Sequence, residues 1–335
     1  MENTSETNQQ QENGSEKNWR TWYEQFDKNH SPEQRRLWYN DAAKAYRWAR
    51  PQYPEAIIDR VIKKAGLRGR NLDQTLGQGS RQQAGSSNQP PEPSSILEIG
   101  CGPGIATAAL AKRGFCIQAV EPSAVACAIA RERCQAYPQV RIHNSTFEDY
   151  PLEKAPLKDS PLNSPSEQQI FDAVLAATSF HWVSPEVACT KSAAALKPGG
   201  SLILLWATPP QPADEVCNHL QAVYESFDLS ELGKQQQQRT QAYYQHNFER
   251  FAHTVADSGL FPLTTVDVET HHSTYSPEKY LALLSTLSPY IALEATLRAN
   301  LFEALDQALT DWLAQTVTDT LEMTHWFADH VAPAL

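Results

Sequence analysis

The sequence predicts an α/β fold built on a doubly wound, mostly parallel sheet. Short apolar runs with the length of buried strands alternate with helical patterns through the middle of the chain. Such alternation is typical of parallel sheets that carry helices on both faces. A glycine-rich turn follows the first run, as expected where a strand passes directly into a helix. The five predicted strands cover residues 96–99, 115–120, 140–143, 171–177 and 201–206.

A polar tail and a helical arm precede the predicted core, which spans residues 96–206. Residues 1–17 are rich in Gln, Glu and Asn and have too little apolar surface to offset the entropy of ordering, so we expect a disordered tail. Residues 18–66 are expected to form an N-terminal helical arm. Its last helix, between Pro54 and Gly66, carries an apolar stripe that should lie on the sheet.

Within the core, helices are predicted to begin near Gly104, Ser123 and Pro185. Two segments rich in Pro, Ser and Gln or Lys, residues 73–95 and 151–169, are predicted to be surface insertions.

Residues 207–335 should supply C-terminal helices and the closing strands of the sheet. A helix is predicted near residues 213–227, and leucines that recur every four residues from Leu293 to Leu309 predict a longer one. Residues 264–274 and 316–331 have strand character.

Composition and charge exclude several classes of function. The chain has 335 residues and a net charge of −11, which argues against nucleic acid as the main partner. Because its longest apolar run is a strand length, far below the ~18 residues of a membrane span, no membrane partner is expected. The charge is uneven: residues 35–70 carry +7 and residues 213–335 carry −12. This asymmetry could steer a small anion toward the N-terminal part, although solvated helix faces are the simpler interpretation.

The cysteines and histidines do not predict a metal site. The six cysteines contain no C-x-x-C pair, and in a chain of this length they indicate neither a disulfide framework nor a zinc cluster. A reducing cytoplasm is the expected location. Four histidines are interpreted as strand and surface residues rather than ligands, namely His271, His272, His325 and His330.

The most informative segment, residues 96–104, is an apolar strand followed by glycines at 100, 102 and 104. Glycine lets a ligand approach the backbone, and the start of the following helix offers free N–H groups. A dinucleotide fingerprint, G-x-G-x-x-G, is the first alternative. It fails because Ile105 stands where the third glycine is required.

The segment from Glu98 to Gly104 resembles the first motif of class I S-adenosylmethionine-dependent methyltransferases, acid-x-G-x-G-x-G. Other family motifs follow in the same order: Glu121 after the second strand, residues 146–149 after the third, 171–182 along the fourth, and 196–200 before the fifth. The resemblance implies a Rossmann-like, seven-stranded, mostly parallel sheet. The late strands would form an antiparallel pair, with a C-terminal helical insertion between them.

The same resemblance implies a binding site for S-adenosylmethionine. Glu121 takes the place of the acid that accepts hydrogen bonds from both ribose hydroxyls, a role that suits a carboxylate. Residues 146–149 lie where the family binds the adenine edge. The implied cofactor-binding residues are Glu98, Gly100, Cys101, Gly102, Gly104, Glu121, Pro122, Thr146, Phe147, Glu148 and Ala177.

Three further segments, residues 46–54, 178–182 and 286–293, are similar to the small-molecule branch that includes trans-aconitate methyltransferases. Arg50 could bind a carboxylate through two hydrogen bonds or lie on the surface. His181 could take a proton from the acceptor, although packing at a helix start beside Trp182 is the favoured interpretation. The implied acceptor-binding residues are Tyr46, Arg50, Tyr53, Phe180 and Trp182.

The sequence therefore predicts a cytoplasmic methyltransferase, monomeric or homodimeric, that acts on a small molecule. The basic excess near Arg50 favours an anionic acceptor, and the expected reaction is O-methylation of a carboxylate or a hydroxyl. A nicotinamide dehydrogenase and a macromolecule methyltransferase are disfavoured. A non-catalytic cofactor-binding or scaffold protein remains the alternative, since no single residue here is demanded by the chemistry.

Overall fold

The computed structural model describes residues 32–70, 92–152, 170–235, 239–316 and 318–335. The predicted tail, the start of the predicted helical arm and most of the two predicted insertions lie outside the described residues.

A mostly parallel sheet forms the centre of the molecule, as predicted. Its parallel strands run in the order β3-β2-β1-β4-β5, and β8 continues the sheet antiparallel to β5. The strands are β1 Ser95–Ile99, β2 Cys116–Glu121, β3 Val140–Asn144, β4 Phe171–Ala177, β5 Leu196–Ala207, β6 Gln211–Pro212, β7 Val266–Tyr275 and β8 Leu321–Pro333.

The closing strands confirm the predicted antiparallel pair. β7 pairs with β8 along its whole length, on the edge of β8 opposite β5. The two-residue strand β6 adds an eighth strand that the prediction of seven did not include; it pairs with β8 beyond the end of β5. Strand β8 can pair with β5 and with β6 along the same edge, because it has thirteen residues and only seven of them face β5.

Helices cover both faces of the sheet. They are α1 Pro32–Ala49, α2 Glu55–Lys64, α3 Ile105–Ala111, α4 Ala124–Arg133, α5 Pro185–Ala195, α6 Asp214–Ser226, α7 Ser230–Lys234, α8 Gln241–Asp257, α9 Pro277–Leu284, α10 Ser288–Ile291 and α11 Ala295–Thr316. On one face, α2 and α3 bury apolar side chains such as Ile57, Ile58 and Leu110 against the strands, which confirms the predicted stripe. On the other face, α5 and α8 pack over Val174 and Leu204. Helices α9 to α11, which follow β7 and precede β8 in the chain, join α6 in a separate apolar cluster.

Four details differ from the prediction. Strand β5 begins at Leu196 rather than residue 201, because the register shift opposite β4 lets Leu196 pair with Phe171. Residues 316 and 318–320 are not strand: the Thr316 hydroxyl donates to the Trp312 carbonyl and closes α11. Leu293 precedes that helix, whose buried leucines continue to Leu313 instead. No helix was predicted where α8 lies.

The predicted surface positions of His325 and His330 are wrong. Both lie on β8 and are at most 4% exposed, because strands flank β8 on both edges and helices cover its faces. Burial lowers the pKa of each imidazole to about 4.

A cluster of ion pairs fastens α2 to the closing strands. Asp329 of β8 is fully buried and accepts hydrogen bonds from Arg60 Nε at 2.7 Å and from Lys64 Nζ at 2.6 Å. Arg60 also pairs with Glu269, and Lys64 with Asp267, on β7. Within the part of the chain that the structure describes, no helix is both long and apolar enough to cross a bilayer.

Candidate active site

Two neighbouring cavities open where the parallel strands end. The first, of about 430 Å³, is bounded by the turn after β1, the end of β2 and residues 146–149; we call it the glycine-loop cavity. The second, of about 440 Å³, is bounded by aromatic residues of β5 and α8 and by α10; we call it the aromatic cavity. Both are lined by the same five residues, Tyr46, Arg50, Thr178, Trp182 and Ala207. The two cavities therefore adjoin at these five residues.

The turn after β1 depends on glycine at two positions for different reasons. Gly100 has φ +63°, and a Cβ there would lie 2.7 Å from the Cβ of Ser179, so the neighbouring loop leaves no room for a side chain. Gly102 has φ +53°, and a Cβ there would meet nothing within 4 Å. Because Gly102 lines the glycine-loop cavity, its missing side chain leaves that space to a ligand.

Glu121 closes the other side of this turn at the end of β2. One carboxylate oxygen accepts a hydrogen bond from the Gly102 backbone N–H at 2.9 Å, and the other accepts one from Ser123 N–H at 2.8 Å. Burial raises the pKa of Glu121 to about 7 against the opposing effect of these two donors. Each oxygen keeps a further acceptor position, and the residue lines the cavity.

Glu98 lies behind the turn rather than in the cavity wall. It is fully buried on β1, and one of its oxygens accepts a hydrogen bond from the Thr107 hydroxyl at 2.7 Å. The other oxygen, Oε1, finds no hydrogen-bond partner among the described residues. Burial, with the nearby Glu121 charge, raises the pKa of Glu98 to about 7. Glu98 thus supports the turn from beneath.

Residues 146–149 form the far wall of the glycine-loop cavity. The Thr146 hydroxyl donates to the Asp149 carboxylate at 2.8 Å and accepts from its backbone N–H at 3.1 Å, which closes a compact turn. Phe147 is buried beneath that turn, whereas Glu148 is exposed at its rim. All of the cofactor-binding residues implied by the resemblance line this cavity except Glu98 and Gly104. Cys101 also lines this cavity, and burial raises the pKa of its thiol.

Thr178 stands at the junction of the two cavities in an unusual conformation. Its φ is +56°, which is costly for a β-branched residue. Three hydrogen bonds hold it there: its N–H donates to the Leu205 carbonyl at 2.7 Å, its hydroxyl accepts from Ala207 N–H at 3.0 Å, and its Oγ1 lies 2.9 Å from the hydroxyl oxygen of Tyr53. The junction between the cavities is therefore fixed by backbone and side chain together.

Arg50 also lies at the junction. Its Nε donates to the Thr286 hydroxyl at 3.0 Å and its Nη2 to the Thr286 carbonyl at 3.4 Å, while its guanidinium carbon lies 4.8 Å from the centre of the Tyr46 ring. The residue is half-buried. These contacts orient the guanidinium and place a positive charge in the wall of both cavities.

A row of near-parallel rings forms one wall of the aromatic cavity. The Trp206 ring lies 5.6 Å from that of His181 at an interplanar angle of 28°, and 5.6 Å from that of Phe248 at 22°. The Phe248 ring lies in turn 6.1 Å from the Tyr244 ring, at an interplanar angle of 24°. Burial, together with the Arg50 charge, lowers the pKa of His181 to about 4, so this imidazole is neutral near pH 7.

The remaining residues predicted to bind the acceptor fall in different places. Tyr46, Arg50 and Trp182 line both cavities, and Tyr53 lines the glycine-loop cavity alone. Phe180 lines neither, because the short helical turn over residues 180–182 directs it into the core beneath the sheet, where it is fully buried.

Sequence reasoning missed the residues that α8 brings to the site. Tyr244, Phe248 and Phe251 recur at the spacing of one helix face, and the Thr240 hydroxyl caps the helix by accepting from Tyr243 N–H at 3.3 Å. That capping residue and aromatic spacing were the available signals. The adjacent run of glutamines, at residues 235–238, obscured them.

Comparison with known proteins identifies the domain. Residues 96–200 match a family model described as a methyltransferase domain. Residues 96–200 form a methyltransferase domain. Uncharacterized methyltransferases of Mycobacterium bovis and Mycobacterium tuberculosis are each 30% identical to it over 172 residues, which is 51% of this chain and 53% of theirs. The chain thus spans about half the length of the curated relatives it matches.

A solved structure shares the fold of this methyltransferase domain and its surroundings. A candidate type II methyltransferase from Anaeromyxobacter dehalogenans superposes with a TM-score of 0.50 at 19% identity, covering 85% of this chain and 97% of that one. The Rossmann-like fold predicted from the sequence is confirmed. The placement in a trans-aconitate-like branch stays a prediction.

The residues of the methyltransferase domain fit the cofactor that its family uses. Glu121 lines the cavity and each of its oxygens accepts one backbone hydrogen bond, which leaves acceptor capacity for two ribose hydroxyls, and a Cβ on Gly102 would meet no protein atom within 4 Å. The cavity volume of about 430 Å³ is within the range of small-molecule sites, ~300–1,000 Å³.

Proposed function

We propose that this protein transfers the methyl group of S-adenosylmethionine to an oxygen of a small-molecule acceptor. The observation that carries the proposal is the meeting of two cavities of similar volume at five shared residues. One cavity has the glycine turn and acid of the family's cofactor site, and the other has room for a second molecule. A binding protein for the cofactor alone would not need the second cavity.

In this proposal the glycine turn and Glu121 hold the cofactor, and residues 146–149 receive its adenine. When bound, S-adenosylmethionine supplies a methyl group whose bond to sulfur breaks as its bond to the acceptor forms, with the electron pair left on sulfur. The residues of the chain align the two reactants and exclude water, which are the main contributions a protein can make to such a displacement. Thr178 and Ala207, at the junction, would flank the transferred group.

Arg50 would bind the acceptor through its negative charge. It is the charged residue shared by the two cavities among the residues that the structure describes. Its guanidinium is preorganised by Thr286 and by the face of Tyr46, so little side-chain entropy would be lost when an anion binds. An anionic acceptor would thus be held beside the methyl donor.

The acceptor oxygen is better explained as a carboxylate than as a hydroxyl. A hydroxyl benefits from a general base, and His181 is the imidazole in the wall of the aromatic cavity. With a pKa of about 4, His181 binds a proton too weakly to serve as an efficient base near pH 7. A carboxylate is already ionised at that pH and releases no proton on methylation. We therefore propose that His181 packs in the aromatic row and that the acceptor is a carboxylate.

Incubation of the full chain with methyl-labelled S-adenosylmethionine and a metabolite extract tests the proposal, with products identified by mass spectrometry. We expect a labelled methyl ester. Binding of S-adenosylhomocysteine without transfer to any component would instead support a non-catalytic cofactor-binding protein. A labelled phenol or alcohol ether would retain the methyltransferase and reject the carboxylate.

Two variants then separate the roles at the junction. Arg50→Ala should reduce kcat/KM for the acid, whereas His181→Phe, which keeps a ring in the aromatic row, should change it by less than about tenfold. General-base catalysis contributes about 100- to 10,000-fold, so a loss of that size in His181→Phe would identify a base. The cytoplasmic location and the monomeric or homodimeric state expected from the sequence stay predictions.

A further inference from the structure

The aromatic cavity has a wall suited to a flat molecule. His181, Trp206, Phe248 and Tyr244 follow one another with interplanar angles between 22° and 28°. Trp206 and Phe248 are each less than 8% exposed, so their neighbours hold the planes of these rings in place. Because these rings face one another, the row presents ring edges to the cavity, and the face of an aromatic ligand laid against it would gain edge-to-face contacts as well as burial of apolar surface. An aliphatic chain would gain the burial only.

The charge of the cavity restricts the acceptor further. Among the described residues that line it, the charged side chains are Arg50 and Arg239, and no carboxylate contributes to its wall. The Arg239 guanidinium is engaged with Tyr243: its carbon lies 4.6 Å from the ring centre, and its Nη1 donates to the hydroxyl at 2.7 Å. Of the two, Arg50 also lines the glycine-loop cavity, so it is the cation at the junction. Arg50 can balance the one carboxylate that lies at the junction, whereas a tricarboxylate would keep at least one unpaired charge even if Arg239 balanced a second.

The aromatic wall is preorganised by hydrogen bonds from outside it. Gln211 of β6 donates to the Tyr244 hydroxyl and accepts from the Arg239 backbone N–H at 2.8 Å. On the opposite side, Tyr290 is fully buried and its hydroxyl lies 2.5 Å from that of Tyr224, which anchors α10. Ser288 and Ile291 of α10 line the cavity. The cavity is thus shaped before a ligand enters.

We infer that the acceptor is a flat aromatic or conjugated monocarboxylic acid, with its ring along the row from Trp206 to Tyr244 and its carboxylate at Arg50. This inference rests on the proposed function and narrows it to one substrate class. It separates the protein from enzymes that methylate short aliphatic polyacids, the class favoured by the sequence resemblance.

Binding of three probe acids and one amide to the full chain tests the inference without requiring turnover. Calorimetric titrations, at saturating S-adenosylhomocysteine, would compare trans-cinnamate with cinnamamide, 3-cyclohexylpropanoate and propane-1,2,3-tricarboxylate. We expect cinnamate to bind about 10- to 100-fold more tightly than cinnamamide, because a charge-assisted hydrogen bond to Arg50 is lost. It should also bind more tightly than the cyclohexyl acid and the tricarboxylate. Equal or tighter binding of the tricarboxylate, or equal binding of the amide, would overturn the inference.

A pair of arginine variants locates the carboxylate. Arg50→Gln should weaken cinnamate binding to the level of cinnamamide, whereas Arg250→Gln, on α8 and outside both cavities, should leave it unchanged. If cinnamate binds equally well to both variants, the carboxylate is not at Arg50 and the inference fails. The amide comparison on the unaltered protein keeps this test valid if Arg50→Gln does not fold.

The same titrations distinguish failure of the inference from failure of the proposed function. If S-adenosylhomocysteine binds and none of the acids does, the substrate class is wrong while the cofactor site stands. If S-adenosylhomocysteine itself does not bind, the proposed function fails. If cinnamate binds as expected, the inference is supported whether or not cinnamate itself is methylated.

Discussion

At the scale of single residues, Glu121 links the sequence motif to a measurable property. Its carboxylate is buried, yet each oxygen accepts only one backbone hydrogen bond within the described structure. The position at the end of β2 was predictable because an acid directly follows an apolar run. The raised pKa was not predictable, because it depends on how completely the turn covers the carboxylate.

The pH dependence of cofactor binding follows from that pKa. Ribose hydroxyls donate to the ionised form of Glu121, so binding should favour deprotonation. Because the pKa of Glu121 is about 7 in the protein without ligand, the affinity for S-adenosylhomocysteine should rise with pH up to about 7 and then level off. Glu121→Ala should weaken binding by about 1–3 kcal/mol and remove this rise. Glu98→Gln is the control, because burial also raises the pKa of Glu98 to about 7. If Glu98→Gln abolishes the rise in affinity and Glu121→Ala does not, Glu98 is the group responsible.

Gly102 provides a second test at this scale, with Gly66 as a matched control. Both have positive φ, and a Cβ at either would meet nothing within 4 Å, but only Gly102 lines a cavity. Replacement by Ala should reduce the free energy of unfolding by about 1–2 kcal/mol at each position. Calorimetry should show weaker S-adenosylhomocysteine binding for Gly102→Ala alone. Equal affinities in the two variants would show that no ligand approaches this glycine.

At the scale of elements, the predictions succeeded where the hydrophobic pattern was periodic and local. The parallel strands, the stripe on α2 and the leucines of α11 are such patterns, and the structure confirms them within a few residues. Helix α8 was missed because the adjacent run of glutamines, at residues 235–238, obscured its capping residue and the spacing of its aromatic residues. The bulged start of β5 was missed because its pairing with Phe171 is a tertiary contact. Short-range sequence patterns carry no information on a tertiary contact of this kind.

The ion pairs between α2 and the closing strands are tertiary contacts between distant parts of the chain. Removing one of them should lower the free energy of unfolding. Arg60→Met would leave the buried Asp329 carboxylate with Lys64 as its remaining basic partner among those described. We expect the free energy of unfolding to fall by about 2–4 kcal/mol, measured by urea denaturation.

Lys63→Met is the control for this prediction, because it removes the same charge from an exposed position on the same helix. It should cost less than about 1 kcal/mol. Similar losses in the two variants would mean that the buried pair contributes nothing specific.

At the scale of the whole molecule, the site is assembled from segments that are far apart in the chain. Tyr46 and Arg50 come from the N-terminal part, Thr178 and Trp182 from the loop after β4, and Thr286 from the helical insertion. The motifs of the resemblance are contiguous, and most of the residues that they imply line the glycine-loop cavity. The resemblance could not locate the aromatic wall, since the contacts of Trp206 with Phe248 and Phe251 join β5 to α8. Most of the acceptor side therefore required the structure.

The central claim is that the glycine-loop cavity binds S-adenosylmethionine rather than a dinucleotide. Calorimetric titration of the full chain with S-adenosylhomocysteine and, separately, with NADH tests it most directly. The account predicts one S-adenosylhomocysteine bound per chain at micromolar affinity and no NADH binding in the same range. Micromolar binding of NADH with no binding of S-adenosylhomocysteine would contradict it.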